Sequence, residues 1–233
     1  STFLQRAYDQ IINDLCINNS NALILVYRAS IYGNKDMTHL GFNDITMLSN
    51  IPNLMYLAPT TVEELESSIR YGVEHHNHPI AIRIPVGPPI YETSQSNTTG
   101  CPITSCNITQ SGNTIAIIGV GNFYHKAVEL SHAIHDAIHI SPTLVKPLCI
   151  SSLDTDTLNE LTKTHNIIIT LEDGELEGGY GQKIASYYGK TSMNVLNYGI
   201  SKQFYDRYNP EDVLQQNHFD FKHILDDIRN VQH

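Results

Sequence analysis

Two arginines and one histidine in the first forty residues carry side chains suited to phosphate binding and proton transfer. Arg6 and Arg28 offer guanidinium groups, whose planar set of donors fits a dianionic phosphate. His39 offers an imidazole, which with an unshifted pKa of about 6.5 can give or take a proton near neutrality. Residue type alone does not assign these roles, because a lone loop histidine usually lies on the surface. The chemistry therefore depends on the elements that hold these side chains.

Other residues that could bind a metal ion or phosphate have simpler interpretations. Histidines between 125 and 139 recur at helical spacing, but no Asp, Glu or Cys motif completes a metal set, which favours a solvated helix face. The glycine-rich segment 178–181 lacks the lysine of a phosphate-binding loop and has acidic neighbours, which favours a tight strand-to-helix turn. The four cysteines show no zinc spacing and are predicted to be free thiols in a reducing compartment.

The composition is that of an acidic globular protein. The 233 residues are 41% hydrophobic and carry a formal charge of −10 at pH 7. Such a charge argues against a nucleic-acid partner, which would require a basic face to neutralise phosphates. No apolar run approaches the roughly 18 residues of a membrane span, and no charged-then-apolar leader appears. We therefore predict no nucleic-acid or membrane partner and a cytoplasmic location.

Short apolar runs alternate with helical patterns, which predicts an α/β fold with mainly parallel sheets. An apolar stripe at helical spacing, to which Phe3 belongs, predicts a helix over 3–17. The apolar run 22–27 predicts a buried parallel strand. The loop 28–41 follows its carboxyl end, where ligands gather in such sheets. Further elements are predicted at 55–58 (strand), 60–76 (helix, with Thr60 and Glu63 as a capping box) and 80–84 (strand).

Residues 88–112 divide the chain into two parts. The segment is rich in Pro, Ser, Thr and Asn and lacks periodicity, which predicts a linker between a unit over 1–87 and a unit over 113–233. The second unit is predicted to be a compact five-stranded α/β domain. Its elements are predicted as strands at 114–120, 142–145, 167–171 and 193–197, and helices at 123–138, 154–165 and 181–188.

Several segments match the motifs of one enzyme family in the same order. Residues 1–10 (STFLQRAYDQ) match it contiguously, and 27–33 (YRASIYG) stand where it has DRAGxxG. Residues 38–41 (THLG) resemble its THxG, and 178–181 (GGYG) its GGFG. The chain thus resembles the 1-deoxy-D-xylulose-5-phosphate synthases, which condense pyruvate with glyceraldehyde 3-phosphate on thiamine diphosphate with loss of CO2. The resemblance implies a partial pyrimidine-binding domain, with a parallel sheet and helices on both faces, followed by a transketolase C-terminal-like five-stranded α/β domain.

The resemblance also implies roles for individual residues. Phe3 would bind the cofactor by stacking on its aminopyrimidine ring, where a flat apolar wall is suitable. Arg6 matches an arginine that binds the substrate phosphate, and Arg28 matches a second arginine of the active site. His39 matches a histidine implied in orienting the substrate and moving protons, so it is the expected catalytic residue. Without the resemblance, Phe3 would be interpreted as a core residue of an amphipathic helix.

Two departures from the family's motifs concern the substrate. Lys35 stands where the family has the Asp of DGxTH, so Asp36 would serve in substrate binding only if the loop shifts by one residue. Val86 stands where the family's RYPRG has a second, phosphate-binding arginine. A charge-assisted contact of roughly 1.5–3 kcal/mol would be lost there. The acceptor implied by the resemblance is therefore open to question.

The resemblance places Ser1 past the middle of the family's polypeptide. The glutamate that protonates the aminopyrimidine, and the residues that hold magnesium and diphosphate, lie upstream in the family, so this chain alone is expected to be inert. Its expected partners are the missing N-terminal diphosphate-binding portion or subunit, a second copy in a homodimer, and small-molecule substrates. Two alternatives remain open: a subunit of a split transketolase-like enzyme with another sugar-phosphate acceptor, and a non-catalytic paralogue that serves dimerisation or binding.

Overall fold

Two sheets organise the chain, for which a computed structural model describes residues 1–31, 36–74, 77–88, 90–91 and 103–231. In the first unit, β1 and β2 both pair in parallel with β3, so the described sheet has the order β1-β3-β2. Its elements are the helical turns Thr2–Ala7 (3-10), α1 (Tyr8–Gln10) and Ile11–Cys16 (π), β1 (Leu23–Val26), the 3-10 turn Met37–His39, α2 (Asp44–Leu48), β2 (Met55–Leu57), α3 (Val62–Glu74) and β3 (Ile80–Arg83).

Burial in the first sheet follows strand position. All four residues of the central strand β3 are buried. The prediction of a buried strand at 22–27 is wrong in its burial, because β1 lies at an edge of the described sheet, with Leu25 37% exposed. A strand with one hydrogen-bonded neighbour is covered less than a central strand, although both have apolar sequences.

The residue that caps helix α3 is Thr61, one residue later than the predicted Thr60. The backbone N–H of Glu64 donates to Thr61 Oγ1 (3.2 Å), and Glu64 Oε2 accepts from the backbone N–H of Thr60 (2.8 Å). The sequence TTVEE contains two overlapping registers of the capping pattern, and in the structure Thr61 caps the N–H of Glu64 while the Glu64 carboxylate reaches back to Thr60.

The second unit contains a five-stranded sheet of order β4-β6-β5-β7-β8, in which β4 is antiparallel to β6 and the other pairs are parallel. The predicted fold class, α/β with a parallel first sheet and a five-stranded second sheet, is confirmed. The elements are β4 (Cys106–Gln110), β5 (Thr114–Gly119), a 3-10 turn (Gly121–Phe123), α4 (Tyr124–Ile138), β6 (Thr143–Pro147), α5 (Thr155–Leu161), β7 (His165–Glu175), α6 (Tyr180–Tyr188), β8 (Asn194–Ile200), α7 (Pro210–Gln216) and α8 (Phe221–Val231).

Strand β4 falls within the range 88–112 that the sequence predicts as a linker. It is an edge strand whose residues are exposed or half-buried, so its polar sequence lacks the apolar run by which central strands are recognised. The linker prediction is therefore wrong for Cys106–Gln110, whereas residues 92–102 lie outside the described part of the chain.

The two units share one apolar cluster and are joined by backbone hydrogen bonds. The N–H of Ala58 donates to the carbonyl of Leu148 (2.7 Å), and the N–H of Ile150 donates to the carbonyl of Tyr56 (2.8 Å). Because both bonds lie next to β2, the carboxyl end of the first sheet is held against the second unit.

The described residues show no helix that is both long and apolar enough to cross a membrane. Cys16, Cys106 and Cys149 are free, while Cys101 lies outside the described residues.

Candidate functional site

A cavity of about 250 Å³ lies where the start of the chain meets the segment 36–43. The turns Thr2–Ala7 and Met37–His39 contact each other there, and Thr2 Oγ1 donates a hydrogen bond to the carbonyl of Leu40. The residues of its lining that matter for chemistry are Phe3, Arg6, Met37, Thr38, Asn43 and Phe204.

The loop after β1 supports the segment 36–43 through a close backbone approach. The N–H of Ser30 donates to the carbonyl of Gly41 (2.6 Å). A Cβ on Gly41 would lie 2.5 Å from the carbonyl oxygens of both Arg28 and Ser30, so only glycine fits. The glycine of the THLG motif is thus explained by packing beneath the cavity.

Asp36 and His39 form a hydrogen-bonded pair across a single 3-10 turn. Asp36 caps this turn by accepting from the backbone N–H of Thr38 (3.1 Å), and the same oxygen, Oδ1, accepts from Thr38 Oγ1 (2.6 Å). His39 Nδ1 lies 2.9 Å from Asp36 Oδ1. The hydroxyl of Thr38 and then the ring of His39 lower the pKa of Asp36 to about 2.

This arrangement fixes which nitrogen of His39 carries its proton. Because Asp36 is ionised near neutrality, its oxygens only accept, so His39 Nδ1 must be the donor. The Nε2 atom is then the basic atom of the neutral ring. Asp36 therefore acts on the imidazole in this structure, and its predicted role in binding substrate stays a prediction.

Phe3 connects the imidazole and a guanidinium. Its ring meets that of His39 edge to face, with centroids 5.2 Å apart and an interplanar angle of 85°. Arg6 Cζ lies 6.0 Å from the Phe3 centroid. Phe3 is 61% exposed, so its interpretation as a core residue is wrong. Three of the predicted site residues therefore lie together.

The remaining predicted positions lie elsewhere. Arg28 is exposed, has a left-handed backbone (φ 56°) and is not among the residues that line this cavity in the described part of the chain. Val86 is half-buried, and its backbone N–H donates to Asn122 Oδ1 (3.0 Å). Lys35 lies outside the described residues. The substrate-binding role of Arg28 stays a prediction.

The second unit also contributes to the cavity, which sequence reasoning missed. Asn43 Nδ2 donates to Glu175 Oε1 on β7 (2.7 Å), and burial raises the pKa of this carboxyl. Phe204 comes from the segment after β8. Thr38 could have been found from its place in the THLG motif, whereas no motif in the sequence analysis pointed to Phe204.

A buried ionic cluster fixes α2, which follows the segment 36–43, to β7. Arg83 Nε donates to Asp44 Oδ2 (2.8 Å), and Arg83 Nη1 donates to Asp173. Tyr56 donates its hydroxyl to Asp44, and Asn122 Nδ2 donates to Asp173 Oδ2 (3.3 Å). Burial alone would lower the pKa of Arg83, but the attraction of Asp173 and Asp44 holds it well above its ordinary value. The cluster thus joins the two units next to the cavity.

Residues 1–87 match the pyrimidine-binding domain of transketolase, and residues 105–224 match the transketolase C-terminal domain. The chain belongs to the transketolase family. It is 34% identical over 232 residues to the 1-deoxy-D-xylulose-5-phosphate synthase of Alkaliphilus oremlandii, covering 98% of this chain and 37% of that protein. It is 33% identical over 236 residues to the synthase of Gloeothece citriformis, covering 98% and 36%. The predicted resemblance is confirmed, and the chain spans about a third of the length of these curated relatives.

The fold of this chain is also similar to that of a solved structure. The structure described as "Split gene transketolase, inactive beta4 tetramer" matches with a TM-score of 0.82 and 19% identity, covering 99% of this chain and 73% of that one. At this identity the match concerns the fold alone. Among the described residues, no group of three or more His, Cys, Asp or Glu side chains is arranged to hold a metal ion.

Proposed function

We propose that the chain forms the substrate side of a thiamine diphosphate-dependent transferase that condenses pyruvate with glyceraldehyde 3-phosphate, with loss of CO2. One observation carries the proposal: Phe3 and Arg6 line one cavity, and the Asp36–His39 pair adjoins it through the contact between the rings of Phe3 and His39. The curated relatives named above, at 34% and 33% identity, support the same reaction.

The exposed ring of Phe3 fits the proposed cofactor. An aromatic side chain that is 61% exposed beside a guanidinium and an imidazole offers a flat apolar face for the aminopyrimidine. Thiamine diphosphate supplies the carbanion-stabilising centre of such reactions. Since the described residues show no metal-binding cluster, we assign magnesium and the diphosphate group to a diphosphate-binding domain, on the same polypeptide or on a partner subunit.

Different residues of this chain then transfer protons and bind the substrate phosphate. His39 gives or takes a proton at Nε2, while Asp36 holds the proton on Nδ1 and keeps the ring in one orientation. Arg6 binds the phosphate through its guanidinium fork. Arg28 would add a second contact if the loop after β1 turns toward the bound substrate.

A second candidate function is a subunit of a split transketolase-like enzyme that uses another sugar-phosphate acceptor. Val86 favours it, because this position offers only a backbone N–H and Asn122 already accepts from it. A phosphate ligand of the synthase motif is therefore absent, and a longer acceptor could make other contacts. The activity test below includes such an acceptor for this reason.

The test is turnover by the complete protein that contains these residues, supplied with thiamine diphosphate, Mg²⁺ and pyruvate. Glyceraldehyde 3-phosphate and a four-carbon aldose phosphate are compared as acceptors, and CO2 release is measured. We expect His39→Asn to lower kcat about 10²- to 10⁴-fold, as for loss of a general acid–base group. His132→Asn, at an exposed position of α4, is the matched control and should leave kcat unchanged.

Three results would be decisive. Turnover with the four-carbon acceptor alone would favour the split-enzyme alternative. No turnover with either acceptor, together with no binding of thiamine diphosphate by calorimetry, would refute the enzymatic proposal. Turnover that survives His39→Asn within about threefold would remove His39 from the chemistry.

A further inference from the structure

Phe204 is the most exposed large apolar side chain in the described part of the chain, at 79%. It belongs to the segment between β8 and α7, in the transketolase C-terminal domain. An aromatic ring left in solvent beside a cavity is typical of a surface that a ligand covers. Packing within the described residues therefore does not account for the position of Phe204.

The exposure of Phe204 does not come from a loosely held segment. The next residue, Tyr205, is buried, and its hydroxyl lies 2.6 Å from Ser201 Oγ and accepts from Asn217 Nδ2 (3.1 Å). Tyr208 is buried as well. The residues that follow the exposed ring are thus fixed by packing and hydrogen bonds.

The same segment is docked directly on the part of the chain that carries His39. The ring of Phe42 meets Tyr205 edge to face at 5.5 Å and Tyr208 at 6.4 Å. Phe42 is fully buried, and its carbonyl accepts from the N–H of Glu175 (3.0 Å). This aromatic contact sets the position of Phe204 relative to the cavity.

The cavity has apolar walls and a cationic group. Phe204 lines it together with Phe3 and Met37, which are 61% and 51% exposed, and with the guanidinium of Arg6. Such a lining suits a small compound with a short carbon chain and an anionic group. A phosphorylated aldehyde has this chemistry.

We propose that Phe204 is a specificity-determining residue: it packs against the carbon chain of the acceptor and limits its length. The proposal rests on the function proposed above. It implies that the C-terminal domain takes part in acceptor selection, while Arg6 binds the phosphate and Phe3 contacts the cofactor.

The kinetic test compares Phe204→Ala and Tyr91→Ala in the complete protein. Tyr91 is a matched control because it is aromatic, 61% exposed and absent from the lining of the cavity. We expect Phe204→Ala to raise the kcat/KM ratio of a four-carbon aldose phosphate over glyceraldehyde 3-phosphate about 5- to 50-fold, since removing the ring enlarges the site. Tyr91→Ala should leave this ratio unchanged. Because both side chains are exposed, both variants should fold, which thermal unfolding checks.

A second measurement separates this proposal from the proposed function. These 233 residues contain 13 tyrosines but no tryptophan, so Phe204→Trp and Tyr91→Trp each introduce one tryptophan into this part of the protein, and its emission is followed against that of the unsubstituted protein. Titration with glyceraldehyde 3-phosphate should give a saturable change of emission in Phe204→Trp and none in Tyr91→Trp. That result without turnover would overturn the proposed reaction but support acceptor binding at Phe204. Normal turnover with an unchanged acceptor ratio in Phe204→Ala would overturn the role of Phe204 alone. No turnover and no emission change would overturn both.

Discussion

Two carboxylates that lie close together in the chain, Asp36 and Asp44, each bind a nitrogen base, and the two pairs differ in burial. Asp36 and His39 are separated by 2.9 Å, and their side chains are 52% and 41% exposed. Asp44 and Arg83 are separated by 2.8 Å, and their side chains are 0% and 2% exposed. The contact distances are nearly equal, but the bases differ: the guanidinium of Arg83 stays charged, whereas the imidazole of His39 can gain or lose a proton.

Burial gives the two groups different tasks. A buried ion that loses its partner keeps its full desolvation penalty, so Asp44, Arg83 and Asp173 must stay paired for the two units to remain joined. An exposed pair is screened by water and adds little to stability. The value of the Asp36–His39 pair is the orientation of an imidazole that packs against Phe3, a residue of the cavity lining. Stability and chemistry are therefore carried by separate groups, although Asp36 and Asp44 lie close together in the chain.

The largest expected effect is that of Arg83→Met. Methionine fills part of the space but leaves Asp44 and Asp173 buried without their cation. We expect the free energy of unfolding to fall by about 3–5 kcal/mol, as for other buried pairs that lose one partner. Urea unfolding followed by circular dichroism measures it.

Arg229→Met is the matched control for Arg83→Met. Arg229 pairs with Asp226 at 2.8 Å, but both side chains are 53% exposed, so its loss should change stability by at most about 0.5 kcal/mol. Adding Asp44→Asn and Asp173→Asn to Arg83→Met should recover part of the lost stability, because the unpaired charges are removed. Equal effects of Arg83→Met and Arg229→Met would contradict the view that burial separates the two regions.

An intermediate effect is expected for Lys146→Met. Lys146 on β6 pairs with Glu64 on α3, and the two side chains are 7% and 8% exposed. Glu64 Oε2 would still accept from the N–H and hydroxyl of Thr60, both at 2.8 Å, so its charge keeps two partners. We therefore expect a loss of about 1.5–3 kcal/mol, again from urea unfolding.

Lys163→Met provides the exposed counterpart to Lys146→Met. Lys163 pairs with Glu160 at 2.6 Å, with side chains 65% and 66% exposed, and its substitution should have little effect. A loss for Lys146→Met as large as that for Arg83→Met would show that the bonds from Thr60 do not support the carboxylate.

The sequence predicted those strands whose side chains are buried, because a buried strand needs an apolar run that can be recognised locally. The strands β2, β3, β5 and β6 have apolar runs because their side chains are enclosed. Strand β7 extends to Glu175, beyond its predicted end at 171, although its last residues are acidic. The backbone N–H groups of Tyr180 and Gly181 bind the buried Glu172 there, which is a tertiary effect that no local pattern reports.

In the candidate site, too, local sequence patterns predicted individual residues but not the contacts between them. Phe3, Arg6 and His39 were predicted from motifs, and the structure brings them together because two short turns touch. The contact of Asp36 with His39 depends on the 3-10 turn between them, and the position of Phe204 depends on docking between the two units. Local sequence patterns contain neither of these three-dimensional contacts.

The smallest expected effect on stability is that of Asp36→Asn. The hydroxyl of Thr38 and the ring of His39 lower the pKa of Asp36 to about 2, so the folded state prefers the ionised form. This contribution to stability is present above the unfolded pKa of about 3.9 and is lost as the pH falls through about 2. Because the pair is exposed, we expect Asp36→Asn to lower the melting temperature only slightly at pH 7. The difference from the wild type should shrink as the pH falls from about 4 to about 2.

Thr38→Val sharpens this last prediction, since it removes the largest cause of the shift and leaves the carboxylate in place. The pKa of Asp36, followed by NMR titration of its carboxyl carbon, should rise toward its ordinary value in Thr38→Val. His39→Asn should raise it less, because the ring is the smaller cause. An ordinary pKa for Asp36 in the wild type would mean that the turn Met37–His39 does not hold the pair in solution. The orientation argued for the imidazole would then fail, while the buried cluster around Arg83 would be unaffected.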